Sequence, residues 1–237
     1  MELYRLTITP LSVFFALVFL VVFAFLFWRY IWFFRNPPRT PPSGENIVSP
    51  ADGTVVYAKV VEPHEEVVSV KQGVPISVRD ILKEDVSLRK AVIGVFMSPF
   101  DVHYNRSPVT GEIRFIRHHP PAGENVHMGP MHLRTILGRL PHYKNSMHIV
   151  QNERTVTKID GIFAGKRLPF YVVQIAGLNV RGIESYFRPG DRVEKGTVFG
   201  MIRIGSQVDL IFPWDEEMVM RVRPGQRVRA GETILVE

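Results

Sequence analysis

The sequence predicts a mainly β protein: a flattened β-sandwich of paired half-motifs with few short helices, carried behind one N-terminal membrane helix. Three observations predict it. Eighteen Pro and eighteen Gly are scattered among many Val, Ile and Phe residues, the composition of strands cut by tight turns. The frame P-G-x-x-V-x-x-G occurs twice, in Arg188–Gly200 (RPGDRVEKGTVFG) and Arg223–Leu235 (RPGQRVRAGETIL), at an offset of 35 residues. Ahead of all this, Leu11–Trp28 runs for eighteen residues without a charge.

That run makes residues 1–35 a membrane anchor, since about 20 apolar residues span the hydrocarbon core as a helix. A secretory signal peptide fits poorly, because large aromatics follow where a small-residue cleavage site should stand. Trp28, Tyr30 and Trp32 resemble an interfacial belt. Arg29, Arg35 and Arg39 outnumber Arg5 on the other side, which puts the body on the cytoplasmic face of the cell membrane. The run is at the short end for a span, so an interfacial segment is the alternative. Residues 36–46, with the run NPPRTPPSG, read as an extended proline-rich linker.

The globular body is expected over residues 47–237. Ser49–Val61 is a turn, SPADG, feeding the strand TVVYAKVV. Val67–Val78 suggests two strands about Gln72-Gly73, Arg79–Lys90 is polar and suits a short helix, and Ala91–Met97 is a buried strand. Ser107–Gly111 (SPVTG) echoes SPADG ahead of the next strand. Arg117–Glu124 reads as a loop, Met128–Tyr143 as irregular because Gly and Pro interrupt it, and Met147–Lys158 and Pro169–Ile175 as strands. In the repeated frame, Pro-Gly turns the chain, Val enters the core and the second Gly permits a tight crossing. Such paired units resemble the half-motifs of lipoyl and biotinyl domains.

The stretch that organises the chain is Gly200–Pro213, GMIRIGSQVDLIFP. Strand segments Ile202-Arg203-Ile204 and Val208-Asp209-Leu210 meet at Gly205-Ser206. Glycine there leaves the carbonyl before Ser206 sterically open, and a hydroxyl beside an open carbonyl can attack its own peptide bond if a base is supplied. In isolation the pair is merely a turn. Asp101-x-His103 sets an imidazole near a carboxylate in a Pro-flanked loop, and Asp52 sits in the SPADG turn. Arg106, Arg154, Arg181 and Arg188 are phosphate-binding candidates. Six of the eight histidines lie between His118 and His148, but none has the paired spacing H-E-x-x-H, so no metal site is predicted. With no Cys, disulfides and thiolate zinc sites are excluded. The net charge of +6 suits an anionic partner, and without a recognition element nucleic acid is not that partner.

Taken in order, FFRNPPR (33–39), SPADG (49–53), MSPFDVHYNRSPVTG (97–111), NER (152–154), GLNVRGI (177–183) and the Gly205-Ser206 junction resemble the phosphatidylserine decarboxylases, in their shorter bacterial and archaeal-like branch. The resemblance implies a proenzyme that cuts itself at Gly205-Ser206. The products would be a β chain, 1–205, and an α chain, 206–237, held as a heterodimer, with Ser206 converted to a covalent pyruvoyl group. That ketone would condense with the serine amine of a phospholipid headgroup and drain the electron pair left by carbon dioxide. The resemblance assigns His103 to decarboxylation and Asp52 to a relay that orients the base for self-cleavage. Two departures stand out. Gln207 takes a place where Thr is common, and Arg106 stands where many members carry the relay histidine. The missing base is then sought at His119 first, with His148 as the second choice. The competing reading is a membrane-anchored lipoyl-like adaptor without catalysis, which would share the anchor and the half-motifs but not the cleavage.

Overall fold

The computed structural model describes residues 9–62, 66–69, 75–77, 88–144, 146–178, 182–203 and 205–237. The chain forms two compact units, Met1–Asn36 and Pro37–Glu237.

In the first unit, helix α1 (Pro10–Phe27) starts where capping chemistry permits. The Thr9 hydroxyl accepts from the Ser12 amide at 3.2 Å, the Ser12 hydroxyl accepts from the Thr9 amide at 3.0 Å, and Pro10 supplies a pre-set φ in the first turn. A π-helical turn, Trp28–Trp32, continues it. Together Pro10–Trp32 make 23 residues of mean hydropathy 2.8, long and apolar enough to cross a membrane. At its end the Arg35 guanidinium lies 4.3 Å from the Trp32 ring centroid and donates to the Trp32 carbonyl.

Antiparallel strands dominate the second unit. Among the described residues its main sheet runs β11 (Arg192–Val193), β7 (Gly111–His119), β8 (Arg154–Phe163), β9 (Lys166–Ile175), β13 (Ser206–Pro213), β5 (Lys90–Met97), β2 (Gly53–Val61) and β14 (Arg227–Val228). A smaller sheet joins β10 (Ile183–Ser185), β12 (Val198–Ile202) and β6 (Tyr104–Arg106). Strand β1 (Ile47–Val48) pairs with β15 (Ile234–Val236), and β3 (Glu66–Ser69) with β4 (Pro75–Ser77).

Strand β13 lies at the middle, between β9 and β5. Because side chains alternate, Ser206, Val208, Leu210 and Phe212 enter one core, alongside Met97, Val95 and Ile93. Gln207, Asp209 and Ile211 enter the other, with Tyr57, Phe96 and Val173. Both faces are covered, so the strand is buried from Ser206 through Phe212.

The repeats fold as equivalent units. Val193 pairs opposite Gly111 and Val228 opposite Gly53, so each frame adds a short strand beside its own SP-turn. The Ser49 hydroxyl donates to Ala51 O and the Ser107 hydroxyl to Val109 O, closing two matching turns. The Gly231 amide donates to Ser49 O and the Gly196 amide to Ser107 O, each at 2.8 Å. Gly196 and Gly231 have φ of +82° and +75°, and a β-carbon on Gly231 would come within 3.3 Å of Gly196 Cα. The second glycine of the frame is therefore a crossing point between the two repeats.

Three expectations need correction. Met128–Tyr143 is not irregular throughout: Gly129–Ile136 forms helix α2, because Pro130 stands in the first turn where it is tolerated and Gly138, at φ +62°, lies beyond the end. Within Met147–Lys158, His148–Gln151 is a short helix, α3, and β8 begins only at Arg154. The loop expected from Arg117 starts after His119, the last residue of β7. The Gln72-Gly73 turn, and Arg79–Lys90 apart from its last three residues, lie outside the described residues.

Candidate functional site

The junction between β12 and β13 has the geometry its residues allow. Gly205 has φ +57°, the left-handed region that favours glycine, and a β-carbon built on it would meet no atom within 4 Å. Open space therefore adjoins the Gly205-Ser206 bond. Ser206 is fully buried; its hydroxyl lies 3.4 Å from Met97 Sδ, across the β13–β5 register. Ile204 lies outside the described residues.

The second connection between the two sheets, from β5 to β6, runs beside this one. It carries Asp101 and His103. The Asp101 carboxylate accepts from the Ser98 amide at 2.8 Å and pairs with Arg227. It does not hold the imidazole. His103 Nδ1 instead stands 2.9 Å from the Asp101 carbonyl oxygen. A carbonyl only accepts, so Nδ1 carries the proton and the lone pair of neutral His103 is on Nε2. His103 is wholly buried, and its own carbonyl accepts from the Ile202 amide, four residues before Ser206. Two residues on, Asn105 Nδ2 reaches Met97 Sδ, and Asn105 Oδ1 accepts from Gln174. His103 stands one residue before β6 and is, like Asn105, fully buried.

The two substitute bases are placed differently. His119 stands in register with Arg154, Arg154 with Ile175, and Ile175 with Gln207. It therefore lies on the Gln207 face, three strands from β13, or about 14 Å at ordinary strand spacing. His148 is on that face too, its Nε2 at 3.0 Å from Gln207 Oε1. The structure brings neither imidazole to the Ser206 hydroxyl, because neighbouring residues of a strand point to opposite faces.

Asp52 is built into an ion-pair cluster. One carboxylate oxygen accepts from Arg39 at 2.8 Å and the other from the Ala230 amide at 2.7 Å; Arg39 also binds Glu232. Burial raises its pKa, opposed by the Ala230 hydrogen bond and the Arg39 charge. Among the described residues no histidine bonds it, so the expected Asp-to-histidine relay is not seen there as a direct contact. Its electrostatic neighbours include Asp101 and Arg227, one turn from His103.

Two of the four arginines considered for phosphate make other contacts. Arg106 donates to the carbonyls of Gly196 and Pro37, tying the proline-rich segment to a repeat. Arg154 donates to Ile149 O and Asn152 O, closing the C-terminal end of α3, while Asn152 bonds Val126 and Ala176. The NER run is thus a structural knot. Arg188 is exposed, and Arg181 lies outside the described residues.

Two features escaped the sequence reading. A cleft of about 170 Å³ has Gly205 on its wall, together with Phe96, His127, His132, Gly177 and Leu178. His127 and His132 flank the start of α2, and without the helix no sequence signal links them to Gly205. The other is a buried polar network behind the junction. Gln207 Nε2 donates to Tyr57 Oη and to Asp209 Oδ1, both at 2.7 Å, and Gln207 Oε1 faces His148. Burial lowers the His148 pKa to about 4 and raises that of Asp209 to about 6.

Comparison with known proteins identifies the family of the chain. The family model described as phosphatidylserine decarboxylase matches residues 26–236. The chain is 33% identical over 218 residues to a phosphatidylserine decarboxylase proenzyme of Pelobacter propionicus, covering 92% of this chain and 80% of the relative. A proenzyme of the same name from Carboxydothermus hydrogenoformans is 34% identical over 97% of this chain and 88% of its own length. A protein of Methanothermobacter thermautotrophicus, provisionally named an archaetidylserine decarboxylase proenzyme, is 35% identical over 86% of this chain and 78% of its own.

Proposed function

The chain belongs to the phosphatidylserine decarboxylase family, and on that premise we propose that it is a proenzyme that cuts itself at Gly205-Ser206. It is a decarboxylase, and its reaction is loss of carbon dioxide from the serine headgroup of a phospholipid, leaving the ethanolamine headgroup. The names of the relatives support both a diacyl and an archaeal lipid backbone. The observation that carries the cleavage is the left-handed Gly205 with open space beside it, followed at once by the buried Ser206 hydroxyl.

In the cleavage, Ser206 Oγ bonds to the Gly205 carbonyl carbon while its proton passes to a base. The C–N bond then breaks and the nitrogen takes a proton, leaving an ester and a free amine. Loss of the Ser206 α-proton expels the Gly205 carboxylate. Water then replaces the nitrogen, which leaves as ammonia, and the new N-terminus is a ketone. In this reading His103, buried on the connection that bonds Ile202 and with its lone pair on Nε2, accepts the first proton.

The residues fit a pyruvoyl group at position 206: the hydroxyl that would form it is in place, and the neighbouring Gly205 lines a cleft. Once made, such a group supplies the electron sink that takes up the pair left by carbon dioxide. The chain's own residues do the rest. Phe96 and Leu178 exclude water from the cleft, His127 and His132 face the charged headgroup, and His103 returns a proton to the reacting carbon. Asp52 serves at one remove, holding Arg39 and the Ala230 amide and so fixing the second repeat beside the Asp101–Arg227 pair. The apolar segment Pro10–Trp32 keeps the enzyme on the membrane that holds its substrate, with the body on the cytoplasmic side.

The test is an intact-mass measurement on the full chain and on Ser206→Ala. The wild type should give residues 1–205 and 206–237, the latter with a ketone instead of an amine. Ser206→Ala should remain a single inactive chain of 27.1 kDa. Active wild-type enzyme consisting only of uncut chain would overturn the reading.

A further inference from the structure

Helix α2 is amphipathic the wrong way round for a soluble protein. Its Met131 is buried, and His132 stacks against Phe96 at 5.8 Å between ring centroids. The opposite side shows Leu133, Ile136, Leu137 and, past the helix end, Leu140, at 58%, 69%, 50% and 62% exposure. Leu133, Ile136 and Leu137, at i, i+3 and i+4, share one side of the helix, and Leu140, past the break at Gly138, adds a further exposed leucine after it. Phe100, 64% exposed, lines a cleft together with Ile136, His132 and Arg227, and so extends the stripe across the β5–β6 connection. Leu178, 47% exposed, continues it to the cleft at Gly205. Single exposed leucines mean little, but a contiguous set rimmed by polar groups marks a contact surface.

The charge around the stripe says what it contacts. From Asn125 to Asn152 the sequence has no Asp or Glu, while it carries Arg134, Arg139 and Lys144. Arg139 and Lys144 are exposed; Arg223 lies beside Leu140, and Arg227 beside Ile136 and Phe100. An apolar stripe with a cationic border is the arrangement of a helix lying in a membrane interface, its leucines in the acyl boundary and its cations among anionic headgroups.

We propose that α2 is a second membrane contact: its Leu133–Leu140 face inserts into an anionic leaflet and sets the mouth of the Gly205 cleft against the lipid. This rests on the reading of the substrate as a bilayer lipid only for its purpose, not for its test. A lipid headgroup would then reach the cleft by sliding along the α2 face, without leaving the bilayer.

The absence of Cys makes the test clean. Leu137→Cys and Leu140→Cys in the full chain are each labelled with an environment-sensitive fluorophore and reconstituted in vesicles of phosphatidylglycerol and phosphatidylcholine. Ile162→Cys, an exposed apolar position on β8, is the control. The proposal expects labels at 137 and 140 to be quenched by brominated acyl chains and shielded from aqueous iodide, with the reverse at 162. Labels at 137 and 140 as open to iodide as the one at 162 would overturn it. Labels shielded from both quenchers would also overturn it, in favour of a second protein surface on the stripe. A further arm uses Leu133→Glu/Leu137→Glu, which should lower turnover on bilayer substrate roughly tenfold while sparing detergent-dispersed short-chain substrate. Equal loss on both substrates would overturn the docking role. A chain that buries its labels yet never cuts or decarboxylates would refute the proposed function alone.

Discussion

The network behind the junction carries two buried ionisable groups whose effects on stability oppose each other. Asp209 is raised from 3.8 to about 6 by burial, so between these values the folded chain holds a proton that the unfolded chain has lost. Its contribution is present below pH 3.8 and is lost as pH rises through 6. His148 is lowered from 6.5 to about 4, again by burial, so the unfolded chain holds the proton that the folded chain lacks. Its contribution is lost below pH 4 and is fully present above 6.5. At about 1.4 kcal/mol per tenfold change in acidity, each effect is worth about 3 kcal/mol, and over pH 4 to 6.5 they nearly cancel. Removing one partner should unmask the other. In a Ser206→Ala background, which keeps one chain, Asp209→Asn should gain about 3 kcal/mol relative to its parent as pH rises from 4 to 6.5. His148→Gln should lose a similar amount over the same range. Urea unfolding of the full chain in mild detergent at a series of pH values reads both. If the two differences from the parent are flat with pH, or share a sign, the two groups do not titrate inside this network and the reasoning fails.

Other outcomes follow from the same placements. His103→Ala should leave the chain largely uncut on a denaturing-gel time course, whereas His119→Ala should cut at a normal rate, since His103 is on the connection bonded to Ile202 while the register puts His119 on the Gln207 face. Arg39→Ala should cost about 3 kcal/mol in urea unfolding because it strands the Asp52 carboxylate in a buried site, with Arg39→Lys recovering part of it. Gly205→Ala should slow self-cleavage by forcing φ +57° on a residue with a β-carbon, visible as accumulated 27.1 kDa chain. Removing Met1–Asn36 should leave a body that still cuts itself, because Pro37–Glu237 is compact by itself; failure to cut would show that the anchor supports the junction.

Local chemistry was legible in the sequence wherever neighbours in the chain are also neighbours in space. The twin SP-turns and the P-G-x-x-V-x-x-G frames fold as read, since a turn is decided by the few residues inside it. The strand from Ser206 was legible for the same reason, whereas the segment expected at Ile202-Arg203-Ile204 stops at Ile202, with Ile204 outside the described residues. Reading Gly and Pro as breakers hid α2, because their effect depends on whether they fall inside a helix or at its ends. The arginines show a second limit. A guanidinium within a motif looks the same whether it binds phosphate or closes a helix, and only the carbonyls around Arg154 decide.

The search for the base shows why spacing alone misled. Counting along the chain offers His119 first and His148 second, but the sheet puts both on the Gln207 face. Position 207 is in register with Phe96 on one side and Ile175 on the other, and that row leads on to Arg154 and His119. Everything on it points away from the Ser206 hydroxyl. The same sorting explains how Gln207 can stand next to Ser206 in place of the commoner Thr. Its amide spans Tyr57, Asp209 and His148, and Gly94 makes room, since a β-carbon there would come within 2.5 Å of the Tyr57 ring and 2.9 Å of Asp209 Oδ1. That network braces the strand from behind while the Ser206 hydroxyl is on the other face, so Gln207 belongs to the support of the junction.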